Sequence, residues 1–548
     1  MKFSGWIKCG RDTSLYLLLL ALLSISSSRA APNFLLVVAD DMGWTDLGSF
    51  GSEIDTPNLD ALAKLGLRFT DFHVSVSCSP TRSMLLTGTD NHIAGLGNMG
   101  ELLTPNQRGK RGYEGRLNDR VVSLAEVLRE GGYHTYMAGK WHLGHEPDYY
   151  PHARGFNRSF SLLYGGASHW DDMAGLVKVQ TPAHYTMDGK KLDKLPADFY
   201  SSRSYADFLM DAIRENRGDG KPFLAYLAFT APHDPLHVPE PWLSKYRGRY
   251  GDGYEVLKAK RAATAKRLGL VPESAKLPSR GPMVKEWNSL SKAEKELESR
   301  GMEVYAGMVD NMDYHFGRVV RFLKDIGEYD NTVIIFLSDN GANPWVTEDY
   351  PGNRGSKWLA TFDNSIENLG RPGSAYAYGM GWASASAGPM DRFKMTVAEG
   401  GIRSPLLVAG PGVKGGRQVD AFSYATDIMP TILELAGLEH PKEFRGRQVE
   451  RMRGRSMVGV WSGAKKRIYD ASDFIGGEMV NGMWMRQGKY KAALVAPPYG
   501  PAEWQLFDLS EDPGETRDLA KDRPILLKEL QSAWHRYAKE VGVILGKK

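Results

Sequence analysis

The stretch Phe34-Leu35-Leu36-Val37-Val38-Ala39-Asp40-Asp41 places six apolar residues directly before two carboxylates. A second apolar run, over residues 333–337, is followed after Ser338 by Asp339-Asn340-Gly341. Short, continuous apolar runs that end in polar turns are typical of buried parallel strands. Because ligands bind beyond the carboxyl ends of such strands in an open α/β sheet, the two stretches predict an α/β fold with a polar site where these strands end.

The alternation of strands and helices continues along the chain. Apolar runs at residues 223–229 and 406–408 predict two more buried parallel strands. Helical patterns lie between the predicted strands, at residues 58–65, 122–130, 205–215, 304–323 and 427–438. This order predicts a doubly wound, mostly parallel sheet flanked by helices.

The pattern changes in the last part of the chain and in one internal segment. Short strands are predicted at 483–486, 490–494 and 505–508, before a helix at 525–538. We therefore predict a main domain over residues 31–460 and a smaller α+β domain over residues 461–548. A charged segment at about 245–300 predicts a helical insertion with exposed faces.

The first thirty residues have the pattern of an export signal. Lys2, Lys8 and Arg11 precede an apolar stretch at 15–23, and Ser28-Arg29-Ala30 offers a small-residue cleavage site. The alternative is a membrane anchor, but the stretch is shorter than the roughly 20 residues that cross a bilayer. We expect an exported, periplasmic or secreted protein without a stable membrane partner. A net charge of +4 on 548 residues gives no reason to expect nucleic acid as a partner.

Cys78 is the second of two cysteines, and Cys9 lies in the predicted signal. The exported protein would therefore carry a single thiol and no internal disulfide. A lone thiol in an oxidising compartment is a liability unless it is buried, modified or used. The sequence alone leaves open an inert core cysteine and a reactive one.

The two polar strand ends bring together Asp40, Asp41, Asp339 and Asn340 if their strands are neighbours. Three carboxylates in one place repel each other and favour a cation. Ligation by oxygen alone suits Ca²⁺ or Mg²⁺ rather than zinc. Either cluster by itself is more commonly a turn cap, and it is their coincidence at equivalent strand ends that favours a metal site.

The chain contains the run Cys78-Ser79-Pro80-Thr81-Arg82, followed after three residues by Leu86-Thr87-Gly88. This run resembles the C-x-P-x-R motif and the L-T-G continuation of the type I sulfatases. The segment Tyr246-Arg247-Gly248-Arg249-Tyr250 is similar to the large bacterial arylsulfatases in particular. The other matching segments are Asp40-Asp41, residues 132–142, Thr230-Ala231-Pro232-His233 and Asp339-Asn340-Gly341. A single motif of this kind can occur by chance in a long chain, but the occurrence of several in the family's order is not expected by chance.

The resemblance implies an alkaline-phosphatase-like fold and a nucleophile made after translation. In that family a formylglycine-generating enzyme oxidises the cysteine, here Cys78, while the chain is unfolded. One Ca²⁺ per chain would be held by Asp40, Asp41, Asp339, Asn340 and residue 78. The hydrated aldehyde would attack sulfur with one hydroxyl, and loss of a proton from the other would expel sulfate.

The resemblance also implies roles for five more side chains. His142 matches the base that takes this proton, and Arg82 and Lys140 match the cations that orient the hydrated aldehyde. His233 and Lys394 match groups that contact the sulfate and assist the departing oxygen. Lys394 is placed by the segment at residues 399–405, with looser spacing than the other matches.

The reaction expected from the resemblance is hydrolysis of an aryl sulfate to a phenol and sulfate. A small-molecule sulfate ester would be the substrate. Alternatives within the superfamily are an alkyl or sugar sulfatase and a phosphoester or phosphonate hydrolase. A further alternative is an inactive binding protein, which the joint presence of Cys78, Arg82, Lys140, His142 and His233 disfavours.

Overall fold

The computed structural model of the protein describes Gly5 and residues 31–547. Apart from Gly5, the predicted export signal lies outside the described residues. The strands are β1 (Asn33–Ala39), β2 (Leu67–His73), β3 (His134–Lys140), β4 (Arg158–Leu162), β5 (Tyr185–Met187), β6 (Lys190–Leu192), β7 (Phe223–Ala228), β8 (Thr332–Ser338), β9 (Arg403–Ala409), β10 (Arg417–Val419), β11 (Ser423–Tyr424), β12 (Glu443–Phe444), β13 (Arg447–Gln448), β14 (Phe474–Met479), β15 (Gly482–Gln487), β16 (Tyr490–Leu494) and β17 (Trp504–Asp508).

The α-helices alternate with these strands through most of the chain. They are α1 (Pro57–Leu65), α2 (Cys78–Thr87), α3 (Asn91–Ala94), α4 (Leu124–Glu130), α5 (Ser201–Glu215), α6 (Trp242–Lys245), α7 (Tyr254–Arg267), α8 (Lys292–Asp325), α9 (Gly379–Ala387), α10 (Glu399–Ile402), α11 (Ile428–Ala436), α12 (Val458–Trp461) and α13 (Pro524–Val541). No helix within residues 31–547 is both long enough and apolar enough to span a bilayer.

In the described part of the chain, the main sheet has eleven strands, in the order β10-β2-β9-β8-β1-β7-β3-β4-β5-β6, with β11 beside β2. Its centre, from β8 through β1, β7 and β3 to β4, is parallel. The α/β fold with a mostly parallel sheet is therefore confirmed. The expectation that the run at 406–408 forms a parallel strand is wrong, because β9 is antiparallel to both β8 and β2.

The direction of β9 follows from where the chain lies before it. The backbone nitrogen of Gly341 donates to the oxygen of Gly401 at 3.0 Å. The backbone nitrogen of Ser338 donates to Ser404 Oγ, also at 3.0 Å. The chain that leaves the carboxyl end of β8 thus returns to that same end before β9 begins, so β9 has to run back along the sheet.

Alternate residues of β1 point into two separate apolar layers. Leu35 and Val37 pack on one face of the sheet, with side chains of α5 and α8. Phe34, Leu36 and Val38 pack on the other face, with side chains of α2, α4 and α11. Each of these β1 side chains is fully buried, and burial of an aliphatic side chain contributes about 1.5–3 kcal/mol to stability. Helices on both faces make the sheet doubly wound.

The C-terminal part contains an antiparallel sheet in the order β14-β15-β16-β17. Met485, Leu506 and Trp534 belong to a separate apolar cluster between this sheet and α13. The predicted strands and the final helix are present, and β14 is an additional strand. The domain boundary after residue 460 stays a prediction.

The charged segment at about 245–300 contains α7 and the beginning of α8. The expectation of exposed helical faces does not hold for Arg261 of α7, whose side chain is 1% exposed. Its guanidinium bonds Asp46 and Glu53. A charged composition is compatible with this burial because both carboxylates pair with the arginine, and that of Asp46 is fully buried with it.

Candidate active site

The carboxylates Asp40, Asp41 and Asp339 lie together at the ends of neighbouring strands. β1 and β8 are adjacent and parallel, with Ala39 opposite Ser338. The polar residues that follow the two strands therefore begin at the same level of the sheet. The backbone nitrogen of Asp339 donates to Ala39 O at 3.1 Å. Asp41 adopts a φ of 65°, and its backbone nitrogen donates to Asp339 Oδ1 at 3.2 Å. The convergence predicted from the two strand ends is observed.

Two buried cations bind the outer side of this cluster. Arg82, on the second turn of α2, donates from Nε to Asp339 Oδ2 at 2.8 Å and from Nη1 to the backbone oxygen of Lys140 at 2.9 Å. Lys140, at the end of β3, places Nζ 2.8 and 2.7 Å from the two oxygens of Asp40. Both side chains are fully buried, so neither is an ordinary surface charge.

Cys78 is the first residue of α2 and lies beside the carboxylates. Its Sγ is 3.6 Å from Asp41 Oδ1 and 3.3 Å from Lys394 Nζ. The residue is 2% exposed, and burial raises the pKa of the thiol well above its ordinary value. An unmodified thiol here is a poor nucleophile, because the thiolate is the reactive form.

Lys394, which was placed from the sequence by looser spacing than the other residues, lies in this cluster. Its Nζ is 2.7 and 2.8 Å from the two oxygens of Asp41. Although burial alone would lower the pKa of Lys394, the carboxylate of Asp41 raises it well above its ordinary value. The ammonium group is therefore charged, and it bridges Asp41 and Cys78.

The two predicted histidines occupy different positions. His233 Nε2 lies 3.3 Å from Asp41 Oδ2, and its Nδ1 donates to the backbone oxygen of Asp234 at 2.6 Å. His142, with a φ of 57°, contacts Glu101 rather than the carboxylate cluster. The structure thus brings His233 directly to the cluster and places His142 across the cleft, paired with Glu101.

Two neighbouring glycines leave space for the two histidine rings. A Cβ atom on Gly165 would lie 2.8 Å from His142 Cε1, and one on Gly166 would lie 3.1 Å from His233 Cε1. Neither glycine, nor Glu101, was predicted from the sequence. The pair Gly165-Gly166 was a possible signal, since adjacent glycines often mark a close approach, but nothing in the sequence indicates what approaches them.

The residues at the strand ends fit a hard cation. Oxygen atoms of Asp40 and Asp41 lie within 4.8 Å of each other and of ligand atoms of Cys78 and His233. Asn340 Oδ1 is buried and has no hydrogen-bond partner among the described residues. Burial and the like charge of Asp40 raise the pKa of Asp339 to about 6. A calcium ion would bind the unpartnered amide oxygen of Asn340 and offset the repulsion that remains at Asp339 despite its contact with Arg82.

A cleft of about 280 Å³ opens directly over Cys78. His142, His233 and Lys394 lie around the thiol, and Glu101 lies at the rim. The walls are largely apolar, and they include Met99, Leu102, Leu176, Val177, Val179, Trp345 and Met395. Lys394 is the one lysine or arginine among the described residues that line the cleft. An anionic head group would be bound at the floor and an apolar body along the walls.

Comparisons with known proteins agree with this arrangement. A family model described as Sulfatase matches residues 32–438, and one described as N-sulphoglucosamine sulphohydrolase, C-terminal, matches residues 390–540. An uncharacterized sulfatase of Schizosaccharomyces pombe is 46% identical over 528 residues, which cover 94% of each protein. An arylsulfatase of Klebsiella aerogenes is 40% identical over 445 residues, which cover 81% of this chain and 94% of that protein. The crystal structure of Ps i-CgsB in complex with k-i-k-neocarrahexaose has the same fold, with a TM-score of 0.65, 23% identity and 93% coverage of both chains.

A cleft that ends on buried cations at the carboxyl end of a parallel sheet defines an α/β enzyme for an anionic substrate. The match over residues 32–438 shows that the chain belongs to the sulfatase family. The protein is a sulfuric ester hydrolase. The predictions of family and of enzyme class are thereby confirmed.

Proposed function

We propose that the protein hydrolyses aryl sulfate esters, using formylglycine made from Cys78 and one bound calcium ion. The observation that carries this proposal is the position of Cys78 Sγ at the floor of the cleft, 3.3 Å from Lys394 Nζ and 3.6 Å from Asp41 Oδ1. A buried thiol with a raised pKa is unsuited to attack an anion, whereas its conversion would supply an oxygen nucleophile at the same point. Formylglycine supplies a hydrated aldehyde with two hydroxyl groups on one carbon.

The conversion of Cys78 has to precede folding. The residue is 2% exposed and begins a buried helix, all of whose residues are buried. No modifying enzyme could bind the backbone around it in the folded protein. A formylglycine-generating enzyme acting on the unfolded chain is therefore the partner that we propose.

Calcium would be held by Asp40, Asp41, Asp339, Asn340 and residue 78. These groups offer hard oxygen ligands once residue 78 carries oxygen, and calcium accepts six to eight of them. The ion would supply positive charge close to the sulfate group. Arg82 and Lys140 stay on the outer side of the carboxylates and hold Asp339 and Asp40 in place.

The remaining side chains divide between binding and proton transfer. Lys394 lines the cleft and carries a charge, so it suits an oxygen of the sulfate group. His233 donates from Nδ1 to a backbone oxygen, which fixes its ring and leaves Nε2 for the departing oxygen. His142 is the base on the opposite wall. A sulfate monoester is an anion, so positioned cations offset the repulsion that any nucleophile meets.

The proposed preference for aryl esters is based on the apolar walls of the cleft. Leu176, Val177 and Trp345 belong to one apolar cluster beside it, and Val179 is 90% exposed. Burial of an aromatic ring against such side chains contributes about 1.5–3 kcal/mol. A polyanionic sugar would instead require cations beyond Lys394. The similarity to an arylsulfatase of Klebsiella aerogenes supports the same choice.

We also propose export to the periplasm or the exterior. The support is the basic start, the short apolar stretch at 15–23 and the small residues before Ala31. Ala31 also precedes β1 by two residues, so cleavage there would leave the first strand complete.

A panel of esters tests the substrate class. We expect kcat/KM for an aryl sulfate to exceed that for alkyl sulfates, sugar sulfates and the matching aryl phosphate. Trp345→Ala removes one apolar wall without touching the cations, and it should raise KM for the aryl ester more than for the sugar ester. A higher kcat/KM for a sugar sulfate, or for the phosphate, would contradict the proposal.

A further inference from the structure

Glu101 and His142 form an isolated pair at the mouth of the cleft. His142 Nε2 lies 3.2 Å from Glu101 Oε1 and 3.4 Å from Oε2. An ionised carboxylate only accepts hydrogen bonds, so the proton of the neutral imidazole has to be on Nε2. The lone pair is then on Nδ1. That atom is buried and has no hydrogen-bond partner among the described residues.

The surroundings of His142 keep the ring neutral and confined. Its side chain is 10% exposed, and burial lowers the pKa of the imidazole. The ring packs against Gly165, where a Cβ would be 3.1 Å from Nε2. Glu101 determines which tautomer of His142 forms, because it bonds Nε2, whereas Nδ1 has no partner among the described residues.

We propose that Glu101 is a positioning residue that holds His142 as the Nε2–H tautomer and so leaves Nδ1 free to act as the base in sulfate release. This inference rests on the proposed function, in which His142 takes a proton from a hydroxyl of residue 78. The proton passes to Nδ1, and the O–H electron pair forms the carbonyl bond. The bond between the carbon of residue 78 and the sulfate oxygen breaks, and sulfate leaves with the electron pair of that C–O bond. Glu101 offsets the positive charge of the resulting imidazolium.

A purely structural role for Glu101 is a weak alternative. Its side chain is 37% exposed and, apart from His142, no side chain of the described residues is bonded to its carboxylate. Because this carboxylate is more than a third exposed, solvent screens the pair, and such ion pairs contribute only about 0–1 kcal/mol to stability. Replacement of Glu101 should therefore leave the protein folded, so that kinetic changes report on His142.

The tautomer can be measured without turnover. In full-length protein labelled with ¹⁵N-histidine, the ring nitrogens of His142 are assigned by their absence in His142→Gln. We expect a protonated Nε2 and an unprotonated Nδ1 in the wild type. Glu101→Ala should give a mixture of tautomers, whereas Glu101→Gln, whose amide oxygen can still accept, should keep the Nε2–H form. Glu146→Gln is the matched control, since Glu146 is an exposed carboxylate beside His145.

Kinetics then separate sulfate release from departure of the alcohol. With a chromogenic aryl sulfate, Glu101→Ala should lower kcat by about 10–100-fold, lower KM in parallel and leave kcat/KM within twofold. A burst of the phenol should precede the slower steady state, as in His142→Ala. Glu101→Gln should recover part of kcat, and Glu146→Gln should match the wild type.

The possible results distinguish a failure of the role proposed for Glu101 from a failure of the proposed function. An unchanged tautomer in Glu101→Ala, or a fall in kcat/KM as large as that in kcat, overturns the role of Glu101. If His142→Ala shows the burst and Glu101→Ala does not, the proposed function stands and this inference fails. If fully active wild type carries an unmodified thiol at residue 78, the proposed function fails whatever the tautomer is.

Discussion

Two buried charge clusters have the same composition and differ in what surrounds them. The active-site cluster consists of Asp40, Asp41 and Asp339 with Arg82, Lys140 and Lys394. The junction cluster consists of Asp71, Glu399 and Glu515 with Arg403, Arg486 and Lys491. Each has three acids and three bases, and all of these residues are buried. Charge balance and burial therefore do not distinguish a catalytic site from a structural one.

The two clusters differ in position, and one carboxylate of each, Asp71 and Asp339, has its pKa shifted in opposite directions. The junction cluster joins β2 and β9 of the main sheet to β15 and β16 of the C-terminal sheet. Arg486 donates to both oxygens of Asp71, at 3.0 and 2.6 Å, and overcomes the effect of burial to lower the pKa of Asp71 to about 2. The pKa of Asp339 is instead raised to about 6. The active-site cluster lies beyond the ends of the parallel strands β1 and β8, beside Cys78 at the floor of the cleft.

The largest effect should follow from loss of a carboxylate in the active-site cluster. We expect Asp339→Ala to lose the calcium ion and to lower turnover by at least about 10³-fold, the scale of lost electrostatic stabilisation. Elemental analysis and steady-state rates on the same samples measure both. Asp330→Ala, an exposed change at the other end of β8, is the control and should behave as wild type. Stoichiometric zinc in the wild type, or metal and full turnover in Asp339→Ala, would show that the cluster is misassigned.

The corresponding change in the junction cluster should affect stability instead. Arg486→Met leaves Asp71 with weaker partners, and removal of one member of a buried pair costs about 3 kcal/mol. We expect this loss in denaturant unfolding, with kcat unchanged below the transition. The double variant Arg486→Met/Asp71→Leu should recover part of the stability, because it removes the stranded carboxylate as well. Loss of calcium or of kcat at unchanged stability would mean that the junction cluster has a catalytic role.

Whether a site residue follows a regular strand explains whether its position could be predicted from the sequence. Asp40, Asp41, Asp339 and Asn340 follow apolar strands, and strand ends of one sheet meet at one level, so their convergence was predictable. Lys394 lies in an irregular segment, and only its resemblance to the family placed it; the structure shows that segment returning to the carboxyl end of β8. That return also reverses β9, which its apolar run alone could not reveal.

The features that the sequence left undetected depend on pairs of distant residues. Glu101 is an ordinary exposed acid until the fold sets it beside His142, 41 positions away. Arg261 is part of a charged segment, and only its contacts with Asp46 and Glu53 account for its burial. Pairs of this kind leave no local pattern in the sequence, because neither the periodicity of a strand nor the residues of a turn depend on a distant partner.

The mass of the peptide that carries residue 78 tests the central claim most directly. It should be measured on protein from a preparation whose turnover has been determined, with the peptide containing the exposed Arg467 as an internal control for adventitious oxidation or modification. The account predicts that active protein carries the mass of an aldehyde at residue 78, in proportion to its specific activity, while the control peptide is unmodified. A fully active preparation in which residue 78 is still a thiol would contradict it.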